Sequence, residues 1–161
     1  MKVRELMNSA VVTVGPRTPL REVLQLMLRY HITNVVVVDN KHAVLGIVTF
    51  TDLSCRLLPT YDELAKHEEY LSTPESMEDR ITDVANTPAE DIMTRKLITV
   101  SPDLEALKAG ATMSANAVKQ LPVVHDHKLI GIISHTDIGW GIMTQYPECL
   151  MGERHAMYAP R

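Results

Sequence analysis

Gly46-Ile47-Val48-Thr49-Phe50-Thr51-Asp52 returns as Gly131-Ile132-Ile133-Ser134-His135-Thr136-Asp137, with glycine, aliphatics, hydroxyls and acid in the same order. Each copy reads as a glycine opening a short buried strand, a hydroxyl at the strand's end, and Thr-Asp at the start of a helix running on from Leu53 or Ile138. Such a corner gathers polar groups at one point. A helix N-terminus offers unpaired N–H groups to an anion, the hydroxyls add donors, and a carboxylate accepts two hydrogen bonds from a sugar diol. Phosphate plus ribose points to a nucleotide. The plainer reading stands beside it, because Thr and Asp also cap helices and bind nothing. Repetition in matching surroundings favours the ligand.

Working outward, the surroundings do match. Asp91-Ile92-Met93 answers Glu5-Leu6-Met7, and Ile98-Thr99-Val100-Ser101-Pro102 answers Val12-Thr13-Val14-Gly15-Pro16. Val118-Lys119-Gln120-Leu121-Pro122-Val123-Val124 answers Ile32-Thr33-Asn34-Val35-Val36-Val37-Val38. The offset is 86 up to the hairpin turn and 85 after it, so the length difference falls in a turn, where it is tolerated. Within the first copy, Val3–Met7 reads as a helical lead-in and Val11–Val14 as a strand. A helix follows with Thr18 as N-cap, Pro19 at its first position, and Leu20, Val23, Leu24, Met27 and Leu28 on one face. Val35–Val38 is a strand buried on both faces, and Val44–Thr49 returns as its hairpin partner. The short helix from Leu53 ends before Pro59 and carries Cys55 on its inner face.

The second copy has Ala106, Ala109 and Gly110 where the first has Leu20, Val23 and Leu24, a thinner face that lets a neighbour approach closely. Its last helix carries Gly139 and Gly141 around the only tryptophan, Trp140, so looser helices are expected there. Between the copies, Thr60–Tyr70 and Thr73–Asn86 read as two short acidic helices, the second with Met77, Ile81, Val84 and Ala85 on one face. They either fold over the repeats, meet a partner, or form a solvated spacer. The tail after Tyr146-Pro147 shows no sustained period and is expected to be mobile or to order against another subunit.

Composition bounds the function. The chain has 161 residues, 45% hydrophobic and 22% charged, enough for a buried core. Aromatics are 4%, so the core rests on Val, Ile, Leu and Met. Nine methionines are adaptable core filler, since Met7, Met27, Met93 and Met113 recur at equivalent positions. The net charge of −4 argues against broad binding to nucleic acid or anionic lipid. Residues 59–89 carry a net −6, so the repeats themselves are mildly basic. Two cysteines in no metal-type spacing, no signal peptide and no membrane-length apolar run predict a reduced, cytoplasmic protein. His125 and His127 flank Asp126, with His135 downstream, but histidines one residue apart in a turn read as polar turn residues, and no metal is expected. No nucleophile–base pair, Walker-type loop or paired carboxylates emerge, so no catalytic residue is assigned and the chain does not read as an enzyme.

Strand, long helix, hairpin, short helix, twice over, with the doubled T-V-x-P and G-h-h-[ST]-x-T-D segments, resembles the tandem cystathionine β-synthase (CBS) domain pair, or Bateman module, of stand-alone prokaryotic type. The resemblance implies an α/β (α+β) fold of two β-α-β-β-α repeats about a pseudo-two-fold axis: domain 1 over 3–58, an acidic helical linker over 59–89, domain 2 over 90–143 and a tail over 144–161. It further implies two clefts drawing on both copies and holding adenosyl ligands such as AMP, ADP, ATP or S-adenosylmethionine. Carried over residue by residue, one cleft uses Thr49, Thr51 and Asp52 with Val118, Lys119 and Gln120. The other uses Ser134, Thr136 and Asp137 with Thr13, Ile32 and Thr33. In this scheme Asp52 and Asp137 take the ribose hydroxyls, Thr49, Thr51, Ser134 and Thr136 donate to phosphate, and Ile32 and Val118 wall the adenine. Lys119 gives the first cleft a cation that Thr33 does not give the second, so the Asp52 cleft is expected to prefer more highly phosphorylated ligands. Base identity stays open. A chain with no attached enzyme or transporter domain is expected to act on another, unknown protein, as a homodimeric nucleotide sensor. The alternative is a dimerising scaffold that needs no ligand.

Overall fold

The computed structural model describes residues 1–58, 60–66 and 74–146. The expectations for Cys149, the tail beyond Tyr146, Thr73 and residues 67–70 lie outside these residues. The chain forms two compact units, each built on one repeat and closed by the lead-in segment of the other.

The first unit comprises Val11–Leu97 with His127–Leu129. Strand β1 (Thr13–Val14) pairs parallel with β2 (Asn34–Val38), and β2 pairs antiparallel with β3 (Val44–Thr49). Val35, Val36, Val37 and Val38 are all buried, as a β-branched run between two covered faces requires. Helix α2 (Leu20–Tyr30) joins the parallel strands and buries Leu20, Val23 and Met27. Leu24 is half-buried, whereas Leu28, expected on the same stripe, is 74% exposed. At 100° per residue Leu28 lies about 80° around from Leu20, while Val23 and Met27 fall on the opposite side. Thr18 does not cap the helix. Pro19 holds the N-cap position, with no side-chain bond. The Leu20 N–H is satisfied by the Thr87 carbonyl at 2.9 Å, and the Thr18 carbonyl accepts from Ala89 at 2.9 Å. A distant backbone segment has replaced the local cap.

Helix α3 (Phe50–Leu57) follows β3 directly. It buries Leu53 and half-buries Leu57, one turn apart, so Cys55 falls on the outer side and is exposed, contrary to its expected inner position. After α4 (Tyr61–Lys66), helix α5 (Pro74–Asn86) packs on both α2 and α3 and sends Val84 into the core. Of the two linker helices, this one is thus an integral layer of the first unit. Ile81, expected on its inner face, is exposed, while Val84 is buried and Ala85 half-buried; the expectation for the Met77 side chain lies outside the described residues.

Among the described residues, the second unit comprises Met1–Ala10, Ile98–Asp126 and the chain from Ile130 to Tyr146. Helix α6 (Ala106–Ala115) precedes β4 (Gln120–His125), β5 (Lys128–Ser134) and α7 (His135–Gln145). Two residues, Asp126 and His127, both at positive φ, connect β4 to β5. The mirror-image turn fits an antiparallel pair, while five residues join β2 to β3, so the length difference does sit in the turn. The strand expected at Ile98–Val100 shrinks to one parallel bridge, Val100 with Val123. In the first unit Val36 N–H donates to the Val12 carbonyl at 3.3 Å. The equivalent donor is Pro122, which has no N–H, so that rung is lost.

Each lead-in closes the sheet of the other repeat. Thr94, after the short 3-10 turn Ala89–Asp91, exchanges hydrogen bonds with Ile47 on β3 at 2.9 and 3.1 Å. Asn8, after α1 (Val3–Leu6), exchanges them with Ile132 on β5, both at 2.9 Å. Behind each bridge a methionine lies over a glycine. A Cβ on Gly46 would come 2.5 Å from the Met93 sulfur, and one on Gly131 2.7 Å from the Met7 sulfur. Gly141 likewise admits Leu6 of α1, so this α7 glycine serves close packing rather than looseness. The thin face of α6 fits the same pattern, since α1 packs on both α6 and α7. Arg4 pairs with Asp103, and Met1 accepts from Ala106 at 3.1 Å, pinning the lead-in at both ends.

We expect Gly46→Ala to destabilise the protein by ~1–3 kcal/mol. In combination with Met93→Ala, the total loss should fall short of the sum of the single losses by at least ~0.5 kcal/mol. Strictly additive losses in urea titrations would show that the sulfur is not what excludes the side chain.

Candidate functional site

The two repeated corners adopt one geometry. In the first unit Thr49 is the N-cap of α3. Its N–H and hydroxyl both donate to Asp52 Oδ2, at 2.8 and 2.7 Å, and its Oγ1 accepts the Asp52 N–H at 3.2 Å. In the second unit Ser134 N–H and hydroxyl donate to Asp137 Oδ2, both at 2.7 Å, and Ser134 Oγ accepts the Asp137 N–H at 3.2 Å. Both corners are therefore reciprocal capping boxes with Asp in place of the usual Glu. The capping reading of these residues is correct as far as it goes.

What capping leaves over is the chemically useful part. The first three N–H groups of α3 have no partner within the helix. Phe50 N–H is taken by the Thr33 carbonyl at 2.8 Å and Asp52 N–H by Thr49. Among the described residues, the Thr51 N–H and hydroxyl have no protein partner, and Asp52 Oδ1 has none. The hydroxyl proton of Thr49 is committed to Asp52, so it is not available to an anion; the same holds for Ser134 and Asp137. The donor role expected of four hydroxyls contracts to Thr51 and Thr136, which are exposed. Each carboxylate is half-buried and oriented by two charge-assisted bonds to one oxygen, so the other oxygen is presented in a fixed direction.

The remaining candidates fall at the same end of each sheet as the corner of their own unit. Thr13 lies on β1, and Ile32 and Thr33 lead into β2, where Asn34 stands opposite Thr49. Val118 and Lys119 lead into β4, which Gln120 opens. Helices α2 and α6 end alike, with His31 and Ala117 in the left-handed region, and this turns the chain so that half-buried Ile32 and Val118 pack against their cores. Lys119 is exposed. Asn34 is the polar residue the sequence reading passed over. The 86-residue offset from Gln120 pointed to it. Beyond Thr49 against Ser134, the corners differ in chemistry at the next residue: His135 Nε2 is hydrogen-bonded to Ser114 Oγ at 3.2 Å, where the first unit has Phe50 and Leu28, both exposed.

The profile described as CBS domain matches residues 3–58 and 89–138. The inosine-5'-monophosphate dehydrogenase of Methanocaldococcus jannaschii is 30% identical over 138 residues, covering 85% of this chain and 23% of its own length. This chain thus spans under a quarter of that relative. Two solved structures share the fold. The CBS domain pair of protein MJ0100, in complex with 5'-methylthioadenosine and S-adenosyl-L-methionine, has a TM-score of 0.66 at 20% identity, covering 90% of this chain and 98% of that one. CBSX2, in complex with AMP, has a TM-score of 0.69 at 20% identity, covering 89% and 97%.

The capping geometry separates stability from binding. Asp52→Ala should lower stability by ~1 kcal/mol, because it removes a cap. Thr51→Ala should change it by less than ~0.5 kcal/mol. Equal losses in chemical denaturation would mean that Thr51 is held by the fold after all.

Proposed function

This chain belongs to the CBS domain family, and from that premise we propose that it is a regulatory module that binds an adenosyl ligand and does no chemistry on it. The observation that carries this reading is the pair of corners, each offering a fixed carboxylate oxygen beside an unpaired N–H and hydroxyl. The ligands of the two structural relatives, AMP, 5'-methylthioadenosine and S-adenosylmethionine, have adenosine in common and phosphate only in one. A ribose diol on Asp52 or Asp137 is therefore the shared contact, with Thr51 or Thr136 left for a phosphate where one is present.

The ligand set follows the family resemblance. Thr49, Thr51 and Asp52 act with Val118, Lys119 and Gln120, and Ser134, Thr136 and Asp137 act with Thr13, Ile32 and Thr33. In each set Thr49 or Ser134 positions the acid rather than contacting the ligand. Lys119 biases its set toward ADP and ATP. The protein works as a cytoplasmic homodimer that passes ligand occupancy to a regulated partner, since a ligand favouring one arrangement shifts its population. Among the described residues no helix is long and apolar enough to cross a membrane.

Thermal denaturation with AMP, ADP, ATP and S-adenosylmethionine tests the reading. A ligand at a hundredfold over its dissociation constant should add ~2.7 kcal/mol of stability. Asp52→Ala and Asp137→Ala should each remove one site, and the double variant both. No stabilisation by any adenosyl compound would leave a ligand-independent scaffold as the function.

Lys119→Ala should weaken ATP more than AMP, by ~2–5-fold in the ratio, as expected for one lost charge contact from an exposed side chain. Isothermal titration of both nucleotides reads that ratio, and an unchanged value removes Lys119 from the phosphate.

A further inference from the structure

We propose that Met7 is a modification site: hydrogen peroxide converts its thioether to the sulfoxide, and the added oxygen opens the Asn8–Ile132 bridge at the sheet edge of the second unit. Met93, the corresponding residue of the first unit, is shielded. The proposal concerns the fold of the second unit and stands apart from the adenosyl reading.

The two lead-ins are built alike and differ in exposure. Met93 is 7% exposed and belongs to the core of the first unit, whereas Met7 is half-buried and packs against the border of the other core. Oxidation of a thioether follows its access to solvent, so Met7 is attacked first. Its sulfur lies against backbone: a Cβ on Gly131 would meet the Met7 sulfur at 2.7 Å and the Asn8 carbonyl oxygen at 3.1 Å. Strand backbone gives way less readily than a side chain, so an atom added to the sulfur has little room on that side.

In the reaction the sulfur lone pair attacks one peroxide oxygen and the O–O bond breaks. The proton on the transferred oxygen passes to the departing hydroxide as water, the sulfur losing two electrons and the peroxide gaining them. A nearly apolar side chain thereby becomes a polar acceptor. The backbone donors around it are already spent. Met7 N–H donates to the Val3 carbonyl, Asn8 N–H to the Ile132 carbonyl and Ile132 N–H to the Asn8 carbonyl, all at 2.9 Å. Ala10 N–H donates to Asn8 Oδ1 at 2.9 Å. The Asn8 carbonyl, close to the sulfur, is itself an acceptor. An acceptor buried without a donor is unfavourable, so the sulfoxide takes a donor from the bridge or turns to water and carries Met7 off Gly131. Both movements open the same edge.

The event stays local, because the earlier part of the lead-in has its own anchors. Val3 N–H donates to the Leu104 carbonyl at 2.9 Å and Arg4 N–H to the Pro102 carbonyl at 3.0 Å, while the Arg4 side chain pairs with Asp103. Strand β5 runs on from Ile132 to Ser134, the N-cap of α7. The second corner thus loses its backing strand contact on oxidation, and the first keeps its own.

Peptide mapping during graded hydrogen peroxide treatment orders the sites, with exposed Met143 as the fast reference and fully buried Met113 as the slow one. Met7 should oxidise at least ~3-fold faster than Met93. Amide hydrogen exchange in the treated protein should be at least ~10-fold faster at Asn8, Ile132 and Ser134 and unchanged at Val3, Arg4, Ile47 and Thr94. Met143→Leu should keep this response, and Met7→Leu, a swap of similar volume, should lose it. Met7→Gln, with a permanent polar head, should show the fast exchange with no peroxide added. The proposal is overturned by Met7 reacting as slowly as Met113, by native exchange in protein oxidised at Met7 or in Met7→Gln, by a response that survives in Met7→Leu, or by a rise at Val3 and Arg4 equal to that at Ile132.

Discussion

The fold depends on a contact too close for any side chain larger than hydrogen: a methionine of one repeat's lead-in lying over a strand glycine of the other repeat. Gly46 admits Met93 and Gly131 admits Met7, and beside each contact a backbone bridge closes the sheet edge. Sheet edges left open invite unwanted pairing, so these short lead-ins also cover an exposed row of N–H and C=O groups. The same strands run on from the bridges to Thr49 and Ser134, which begin the corners. The backbone that positions each carboxylate is thus held from behind by residues far away in sequence.

The two units are copies in geometry but not in chemistry. Both corners form the same three hydrogen bonds to within 0.1 Å, although one begins with Thr and the other with Ser. Elsewhere the copies have diverged. Pro122 removes one rung of the sheet in the second unit, and small residues thin α6 so that α1 can reach both α6 and α7. The first unit keeps a two-residue β1, shorter than the Val11–Val14 strand expected, with larger residues on α2 and the added layer of α5. Most of this divergence lies in the helical layers, with Pro122 in the sheet and Phe50 against His135 at the corners as exceptions.

Much of this was legible from the residues. The Val35–Val38 run, the hairpins and the paired corners follow from β-branched composition, turn chemistry and repetition. What was not legible depends on contacts between distant segments. Thr18 has the right chemistry for a cap, but the backbone of residues 87–89 arrives first. Leu28 and Cys55 sit at the edge and beyond the buried arc, where a count of apolar spacing loses resolution. Sequence order places Met1–Ala10 with the first repeat, and only the Asn8 and Met7 contacts show that it completes the second unit. At the corners, residue types pointed to hydroxyl donors. The hydrogen-bond geometry shows that Thr49 and Ser134 spend theirs on the neighbouring acid.

The crossed-over lead-ins bear on how the protein is made. Met1–Ala10 leaves the ribosome well before its docking partners on β5 and α7, which emerge roughly 130 residues later, an interval on the order of 10 s at typical synthesis rates. The first unit has its main chain segments by Leu97, while Met1–Ala10 must wait, with the apolar Val3, Leu6 and Met7 unsatisfied. During that interval the nascent chain carries a sticky segment, and completion of the second unit waits on its capture.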